Sequence, residues 1–515
     1  MMAVIDEAKY QRYRAEKTTR SPAATLYHEL VLPVLLFGSM GAITWAIRGT
    51  SGWNGVDGTI VPGLTWGLLW YYLCWRKGID ARGVVLWLGL GIAIGGELGY
   101  GPYVSWIRDI FQVADGTISI APWHGYLWFT ICGIGWAAPG GIALGWALSK
   151  RSSALDWTLR IILYAVVIAL AWWPVVNLVS KFFVSLCPSL LYPHYGTGIY
   201  QGVLDENQVR TVYTNSQNFA FLLWWIVALA VAAIRRDRAT LIVGAILGSG
   251  FGVGFVLSAL WCLGYSYAPG YVDWWKVWEL QAGFNLGLLC VVALLWAIRQ
   301  VDAAHDEQGN PLGRADCKIA PMPDAERRRS ISSVPILCAV LIFAFLEGFF
   351  WTGAFLAALY AVTLCFASFS ATPDTAIEAR ARAALSFTVF LLLFVLLRGA
   401  TTNAGVVLGL YDIGATDQYA WPTPRIFLFV PIVLVLVAWL LHHLWKNVQP
   451  SSETLASPSD ASLIGVRVAD LMTLTGVVGA ITIWPAKIGV LYAIFIAIAF
   501  FAFNRINRAF DQGDA

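Results

Sequence analysis

Charged residues are scarce in this sequence, because Asp, Glu, Lys and Arg together make up only 13% of its 515 residues. Soluble domains carry about a quarter charged residues, so a soluble protein of this composition would aggregate. Hydrophobic residues account for 58% of the chain, and its mean hydropathy is +0.66. The low charge therefore excludes an ordinary soluble domain and indicates an integral membrane protein.

Sequence motifs typical of soluble enzymes are also absent. The six histidines form neither an HExxH pattern nor a zinc-like spacing, and the eight cysteines include no CxxC pair, so neither a metal site nor a disulfide framework is predicted. A GxSxG elbow, a P-loop and a dinucleotide fingerprint are likewise absent. The net charge is only +3, with basic residues in separate loops, so no nucleic-acid partner is expected. These patterns assign neither catalytic residues nor cofactors.

The sequence is rich in continuous apolar runs of roughly 18 to 25 residues, the length at which a helix crosses a bilayer. Backbone polar groups find no water in hydrocarbon, so a span must be a helix or a barrel strand, and these runs lack the alternation of barrel strands. We therefore predict an all-α polytopic membrane protein with about 14 spans. The predicted spans lie near 30–48, 59–76, 82–101, 126–149, 157–183, 216–234, 239–264, 275–298, 331–348, 351–371, 382–400, 424–446, 463–484 and 486–503.

The orientation follows from Lys and Arg, which accumulate in alternate loops, as is typical of cytoplasmic loops. An even number of spans then places both termini of this multi-pass cell-membrane protein in the cytoplasm. The stretch from Val301 to Ser330 contains charged residues, Gly and Pro and no long apolar run, and therefore predicts a linker between two membrane regions. The predicted organisation is a cytoplasmic segment 1–29, a glycine-rich eight-helix domain 30–298, a cytoplasmic linker 299–330, a six-helix region 331–504 and a cytoplasmic tail 505–515.

Five small residues of span three recur in span seven at a constant offset of 153 positions. Gly91, Gly95, Gly99, Gly101 and Ser105 match Gly244, Gly248, Gly252, Gly254 and Ser258. Two units of four spans would have the same orientation, so one interpretation is a parallel four-plus-four duplication. The other interpretation is the general need of membrane helices for small residues at their contacts.

Polar side chains near the glycine-rich spans are the candidate functional residues. A carboxylate within hydrocarbon is costly and needs a partner, so Glu97, in the sequence GGELGYGP, and Glu279 are expected to bind a solute or a coupling ion. We predict that both converge on one polar cavity in the outer half of the membrane. Further candidate binding residues are Gln281, Asn285, Trp278 and His124. The alternative is an interfacial position, where ionisable groups cost little.

Two functions are compatible with these features. The repeat, the glycine-rich helices and the carboxylates favour a secondary transporter or permease for a small polar solute. A proton or cation gradient would drive it, since no ATP-binding motif is present. The alternative is a membrane-embedded enzyme of cell-envelope or lipid-linked glycan metabolism with an outward-facing site, favoured by outer carboxylates beside aromatic loops. The expected partners are membrane lipids, the solute and the proton or cation.

Overall fold

The computed structural model describes residues 7–47, 56–79, 81–113, 116–151, 153–186, 206–303 and 486–513, together with parts of 356–470. The described chain is mostly helical, and seven of its helices are long and apolar enough to cross a membrane. This architecture is that of an all-α membrane protein. The predicted span near 331–348 lies outside the described residues, as do most of the spans near 424–446 and 463–484 and most of the linker 299–330.

The helices of the described chain are numbered here in sequence order. They are α1 (Glu7–Thr19), α2 (Pro22–Ile47), α3 (Val56–Arg76), α4 (Arg82–Gly95), α5 (Gly101–Trp106), α6 (Trp123–Leu148), α7 (Ala154–Ala171), α8 (Trp173–Leu186), α9 (Glu206–Ile234), α10 (Arg238–Ala259), α11 (Trp274–Ala303), α12 (Leu385–Leu396) and α13 (Ala486–Gly513). An antiparallel hairpin of β1 (Phe111–Val113) and β2 (Gly116–Ile118) separates α5 from α6.

Helices α3 and α6 lie at the centre of the bundle. The side chains of α3 from 58 to 74 are all buried, and α6 is buried along most of its length. Glycines on two faces of α6 receive neighbouring helices: a Cβ atom at Gly140 would lie 2.5 Å from Ile92 of α4, and one at Gly141 would lie 2.9 Å from Leu247 of α10. The peripheral helices α7, α9 and α13 instead keep exposed apolar side chains, as a lipid-facing surface requires.

Helices α2 and α11 approach each other backbone to backbone. A Cβ atom at Gly283 would lie 2.2 Å from the carbonyl oxygen of Gly41, a distance that no real side chain occupies. Small residues permit such an approach, and the dispersion contacts that follow stabilise helix pairs in lipid. The last described helix, α13, packs on α2, where the hydroxyl of Tyr492 donates to the carbonyl oxygen of Ile43. The end of the chain thus belongs to the same packed unit as its beginning.

The span predicted at 157–183 is interrupted. Helix α7 ends at Ala171, Trp172 is extended, and α8 begins one residue before Pro174. Pro174 has no amide hydrogen to donate to the carbonyl group of Leu170, four residues earlier, and its ring would clash with that carbonyl group, so α7 cannot continue through Pro174. The break frees carbonyl groups, and the side-chain amide of Gln217 donates to one of them, the carbonyl oxygen of Leu170, at 3.2 Å.

Several predicted boundaries are displaced: α4 ends at Gly95 rather than 101, and other helices run on into polar sequence, as α13 does by continuing to Gly513 rather than ending at 503. Helix α2 begins at Pro22 rather than 30, α9 begins at Glu206 rather than 216, and α11 continues to Ala303 rather than ending at 298. At the far end of α11, the Nζ atom of Lys17 lies 2.6 Å from a carboxylate oxygen of Asp302. Helix α1, predicted only as part of a cytoplasmic segment, therefore packs against this end of the bundle, which we call the Asp302 end.

The glycines that match at the offset of 153 occupy different local structures. Helix α4 ends at Gly95, so Gly99 lies beyond it and Gly101 begins α5, whereas Gly252 and Gly254 lie inside α10. The local fold is thus not the same in the two copies of the pattern.

Candidate functional site

A cavity of about 400 Å³ opens at the end of the bundle where α11 begins. Its described wall comes from α5, the start of the hairpin, the first turns of α9, the turn after α10 and the first turn of α11. Polar side chains of the wall are Ser105, Arg108, Gln112, Thr211 and Tyr265. Aromatic rings of Trp106, Phe111 and Trp275 supply apolar surface. We call this space the α5 cavity.

The α5 segment is shaped by one residue in a left-handed conformation. Asp109 has φ of 63°, which short polar residues such as aspartate tolerate better than most. Its Oδ1 atom accepts hydrogen bonds from the hydroxyl of Ser119 and, at 3.0 Å, from the amide of Ile120. Asp109 thereby ties the chain after α5 to the segment after the hairpin and holds the rim of the cavity.

Arg108 provides the positive charge of the α5 cavity. Its Nε atom donates to the carbonyl oxygen of Val104 at 3.0 Å, and its guanidinium carbon lies 5.3 Å from the ring centroid of Tyr265. Among the described residues, no carboxylate forms an ion pair with Arg108 and no carboxylate lines the cavity. The guanidinium is therefore oriented by neutral partners and retains unused hydrogen-bond donors.

A polar stripe on α9 leads away from the cavity. Thr211 lines the cavity, and Asn215 and Asn218 follow at i+4 and i+7, on the same face of the helix. Both asparagines are fully buried. The hydroxyl of Tyr103 donates to Oδ1 of Asn215 at 2.7 Å, and Nδ2 of Asn218 contacts this hydroxyl and the carbonyl oxygen of Gly99, each at 2.9 Å. We call Thr211, Asn215 and Asn218 the α9 stripe.

The α9 stripe was missed at the level of sequence. The loop predicted at 183–215 and the span predicted from 216 divided the polar run TVYTNSQN, which the structure places within one helix. Five successive residues of this run, Thr214 to Asn218, are at most 9% exposed. The sequence did contain a signal for this stripe, because the polar run leads directly into an apolar helix. Polar residues are retained in a membrane helix only where they find partners, so this pattern indicates buried polar contacts.

Glu279 is completely buried and has charged and neutral partners. Its Oε2 atom lies 2.6 Å from Nζ of Lys276, and its Oε1 atom accepts a hydrogen bond from the indole of Trp275 at 3.0 Å. Lys276 also donates to the carbonyl oxygen of Ala46 at 3.2 Å. Burial of this carboxylate is tolerated because the Lys276 cation and the Trp275 indole compensate its lost hydration. Sequence reasoning selected Glu279 but overlooked Lys276.

Trp278 lies at the centre of an aromatic cluster that packs against Trp275 of the α5 cavity wall. Its ring centroid is 4.6 Å from that of Tyr100 and 5.2 Å from that of Phe255, and Tyr100 also packs against Trp136 at 6.0 Å. The Trp278 side chain is fully buried, and its indole nitrogen has no acceptor among the described residues. We call Tyr100, Trp136, Phe255 and Trp278 the aromatic plug.

Glu97 lies half-buried in the turn between α4 and α5. Tyr100, three residues later, packs against Trp275 and Trp278, so the structure brings the segments of Glu97 and Glu279 together. Neither carboxylate is among the described residues that line the α5 cavity. Their convergence on one polar cavity therefore stays a prediction.

The remaining candidates are separated. Asn285 donates to the carbonyl oxygen of Gly254 in α10 at 2.8 Å, and Gln281 accepts a hydrogen bond from the exposed indole of Trp261. His124 stacks on Trp123, which is 57% exposed, with ring centroids 3.6 Å apart at the start of α6. Asn285 thus joins two helices, Gln281 lies near the surface, and His124 lies at the start of α6 beside an exposed ring.

The Asp302 end of the bundle is covered by α1. Tyr10 and Tyr13 are buried there; the Tyr10 hydroxyl donates to Asp302 at 2.9 Å and that of Tyr13 to Glu29 at 3.1 Å. Lys77 also pairs with Glu29. These contacts close the described end of the bundle opposite the α5 cavity.

Neither a metal-binding cluster nor a comparison with known proteins assigns a family or a function to the chain. No group of three or more His, Cys, Asp or Glu side chains that could hold a metal ion occurs in the described part of the chain. No family model matches the chain, and no curated protein or solved structure matches it either. The function is therefore proposed from the residues and their contacts.

Proposed function

We propose that the chain is a secondary transporter or permease for a small polar solute. The observation that carries this proposal is the continuity of the α5 cavity with the α9 stripe. Thr211 contributes to the wall, and Asn215 and Asn218 continue the same helical face into the protein interior. Buried polar side chains on a membrane helix are costly and mark solute or ion pathways.

In this proposal the aromatic plug is the closed gate of the pathway. Trp278 packs against Trp275 of the cavity wall, with ring centroids 5.2 Å apart, and Trp136 belongs to α6, which packs closely against α4. A Cβ atom at Gly95 of α4 would lie 1.9 Å from the carbonyl oxygen of Trp136. Smooth, glycine-lined contacts allow helices to shift against each other, so rotation or sliding of α6 would move Trp136 and open the gate.

The coupling residues in this proposal are Glu279 and Glu97. Glu279 has only one cationic partner among the described contacts, so protonation of the carboxylate or arrival of a cation would weaken its bond to Lys276. A proton or cation gradient could then be linked to movement of the first turn of α11, which also contributes Trp275 to the cavity. Gln281, Asn285, Trp278 and His124 remain proposed binding or supporting residues.

The proposal includes the finer architecture predicted from the sequence. The chain would have about 14 spans, both termini in the cytoplasm, a four-plus-four parallel repeat in residues 30–298 and a six-helix region in 331–504. The α5 cavity would then face outward. The offset of 153 supports the repeat, and the alternating Lys and Arg residues support the orientation.

Uptake by proteoliposomes tests the proposal. Full-length protein is reconstituted, incubated with a mixture of small polar metabolites under an imposed proton or sodium gradient, and the lumen is analysed by mass spectrometry. We expect accumulation of a solute that Thr211→Val and Asn218→Leu reduce at least tenfold. Thr158→Val is the matched control, because Thr158 is exposed on α7 and its hydroxyl bonds only within its own helix.

A second candidate function is an enzyme with an outward-facing site. It is favoured by the form of the α5 cavity, which opens at one end of the bundle while α1 covers the other end in the described chain. Exposed aromatic side chains at 267 and 271, near the cavity residue Tyr265, would contact lipid headgroups or sugars. Failure of every solute to accumulate, together with chemical conversion of an added lipid-linked substrate, would replace transport by this function.

A further inference from the structure

The charge of the α5 cavity points to the class of its ligand. Arg108 carries the one formal charge among the described residues that line it, the other polar side chains there being neutral. We propose that the cavity binds an oxyanion group, a carboxylate or a phosphate, through the guanidinium of Arg108. This inference names the substrate class of the proposed transport site and rests on that proposed function.

The contacts that hold the side chain of Arg108 in place do not involve hydrogen bonds from its two terminal nitrogen atoms. Its Nε atom donates to Val104, and its guanidinium lies over the ring of Tyr265. No acceptor among the described residues bonds to its two terminal nitrogens. A guanidinium fixed in this way presents a planar pair of donors, the arrangement that matches the two oxygens of a carboxylate or phosphate.

The neighbouring carboxylates already have other partners. Asp109 accepts from Ser119 and Ile120, and Glu279 accepts from Lys276 and Trp275. Asp273 accepts from the hydroxyl of Tyr265 at 3.1 Å and from backbone amides at the start of α11. The half-buried charge of Arg108 is therefore not neutralised by these side chains, and a bound anion would supply the missing partner.

The size and walls of the cavity limit the ligand. A volume of about 400 Å³ falls within the range of small-molecule sites, roughly 300 to 1,000 Å³. Trp106 and Trp275 provide flat apolar surface beside Arg108, and Gln112 and Thr211 provide neutral polar groups. A small organic anion with an apolar or ring-bearing portion fits this combination, as does an anionic lipid headgroup entering from the side.

Anion-dependent thermal stabilisation tests the inference on the full-length protein. Nanodiscs of phosphatidylcholine receive sodium phosphate or sodium acetate at constant ionic strength, and a second set contains phosphatidylglycerol. We expect the wild type to unfold at higher temperature with phosphate or acetate, or with phosphatidylglycerol if the source of the oxyanion is a headgroup. Arg108→Gln should weaken the apparent affinity at least tenfold, and Arg108→Lys should weaken it less.

The matched control is Lys487→Gln. Lys487 lies over the ring of Tyr271, with Nζ 4.2 Å from the centroid, but is exposed on α13 and does not line the α5 cavity. Equal stabilisation of the wild type and Arg108→Gln would overturn the inference, as would no anion effect in either lipid. Uptake sensitive to Thr211→Val without Arg108-dependent anion binding would refute the ligand class alone. Arg108-dependent binding without any uptake would refute transport and leave the anion site standing.

Discussion

The ammonium of Lys276 lies 2.6 Å from a carboxylate oxygen of Glu279, three residues later on the same helix, and Glu279 is entirely shielded from solvent. A buried ion pair of this kind adds little to the free energy of unfolding compared with two well-packed apolar side chains. Removal of one member, however, leaves an unpaired charge in a site without water. A substitution at Lys276 or Glu279 alone is therefore more destabilising than substitution of both.

We expect Lys276→Met and Glu279→Met each to lower the free energy of unfolding by roughly 3 to 5 kcal/mol. The double substitution should cost less than either single substitution, because neither charge is left alone. Equilibrium unfolding of the four proteins in mixed micelles gives the coupling free energy. Additive effects of the two substitutions would show that the contact is not an interacting pair.

Tyr103→Phe should destabilise the protein by about 1 to 3 kcal/mol, because the Asn215 and Asn218 side chains would each lose a hydrogen-bond partner in a buried site. Tyr126→Phe is the control, since the Tyr126 hydroxyl has no hydrogen-bond partner in the described chain; we expect a change within about 0.5 kcal/mol. The same unfolding assay measures both. Equal effects of the two substitutions would contradict the role of Tyr103 as the link between α5 and the α9 stripe.

Gly283→Ala should separate α2 from α11, because the added methyl group would overlap the backbone of Gly41. Overpacking of this type costs typically about 1 to 3 kcal/mol. Gly101→Ala makes the same chemical change where no atom lies within 4 Å of the added Cβ, and it should be tolerated. Melting temperatures of the two variants in one detergent compare them directly. A stable Gly283→Ala protein would disprove the close approach of these helices.

The contacts of α1 predict a loss of stability at alkaline pH. The pKa of Tyr10 is raised above its usual value near 10, mainly because the side chain is buried and also because the negative charge of Asp302 is close. The pKa of Tyr13 is raised by its burial and by the negative charge of Glu29. The folded state thus holds these phenolic protons more tightly than the unfolded state, so stability is complete below about pH 10 and falls as the pH rises further.

Unfolding measured from pH 9 to pH 11.5 tests this expectation. Each tyrosine contributes a slope of up to about 1.4 kcal/mol per pH unit, and the double variant Tyr10→Phe/Tyr13→Phe should have a flatter profile than the wild type. Because the phenylalanines also remove hydrogen bonds, the double variant should be less stable at pH 9. An unchanged alkaline slope would exclude titration of these tyrosines as its cause.

Two native cysteines test the orientation. Cys317 lies in the predicted cytoplasmic linker and Cys187 in the predicted outer loop, both outside the described residues. In variants that keep only one of the eight cysteines, an impermeant maleimide added to intact cells should label Cys187, whereas Cys317 should react only after permeabilisation. Labelling of both residues from the same side would refute the alternating topology.

Much of the helical framework could be predicted because it depends on local composition. The apolar runs near 126–149, 239–264 and 275–298 correspond to α6, α10 and α11, since a helix that enters lipid must satisfy its own backbone and cover it with apolar side chains. Glu279 was selected as a candidate from its position in an apolar run, with an interfacial position as the alternative, and the structure buries its side chain. Its partner could have been predicted, because Lys276 precedes it at a spacing that places both side chains on one helix face.

The polar interior depended on the tertiary structure. Asn215 lies just before the span predicted from 216, and only the folded chain brings Tyr103, 112 residues earlier, to donate to it. Arg108 was not among the candidate residues, because the α5 cavity that it lines is built from segments distant in sequence. The sequence by itself determined which segments are apolar enough to form membrane helices, because hydrophobicity is a property of each segment alone. Only the packing of distant segments decided which polar groups are buried and which face a cavity, because a polar side chain is stable inside the protein only where another segment supplies its hydrogen bonds.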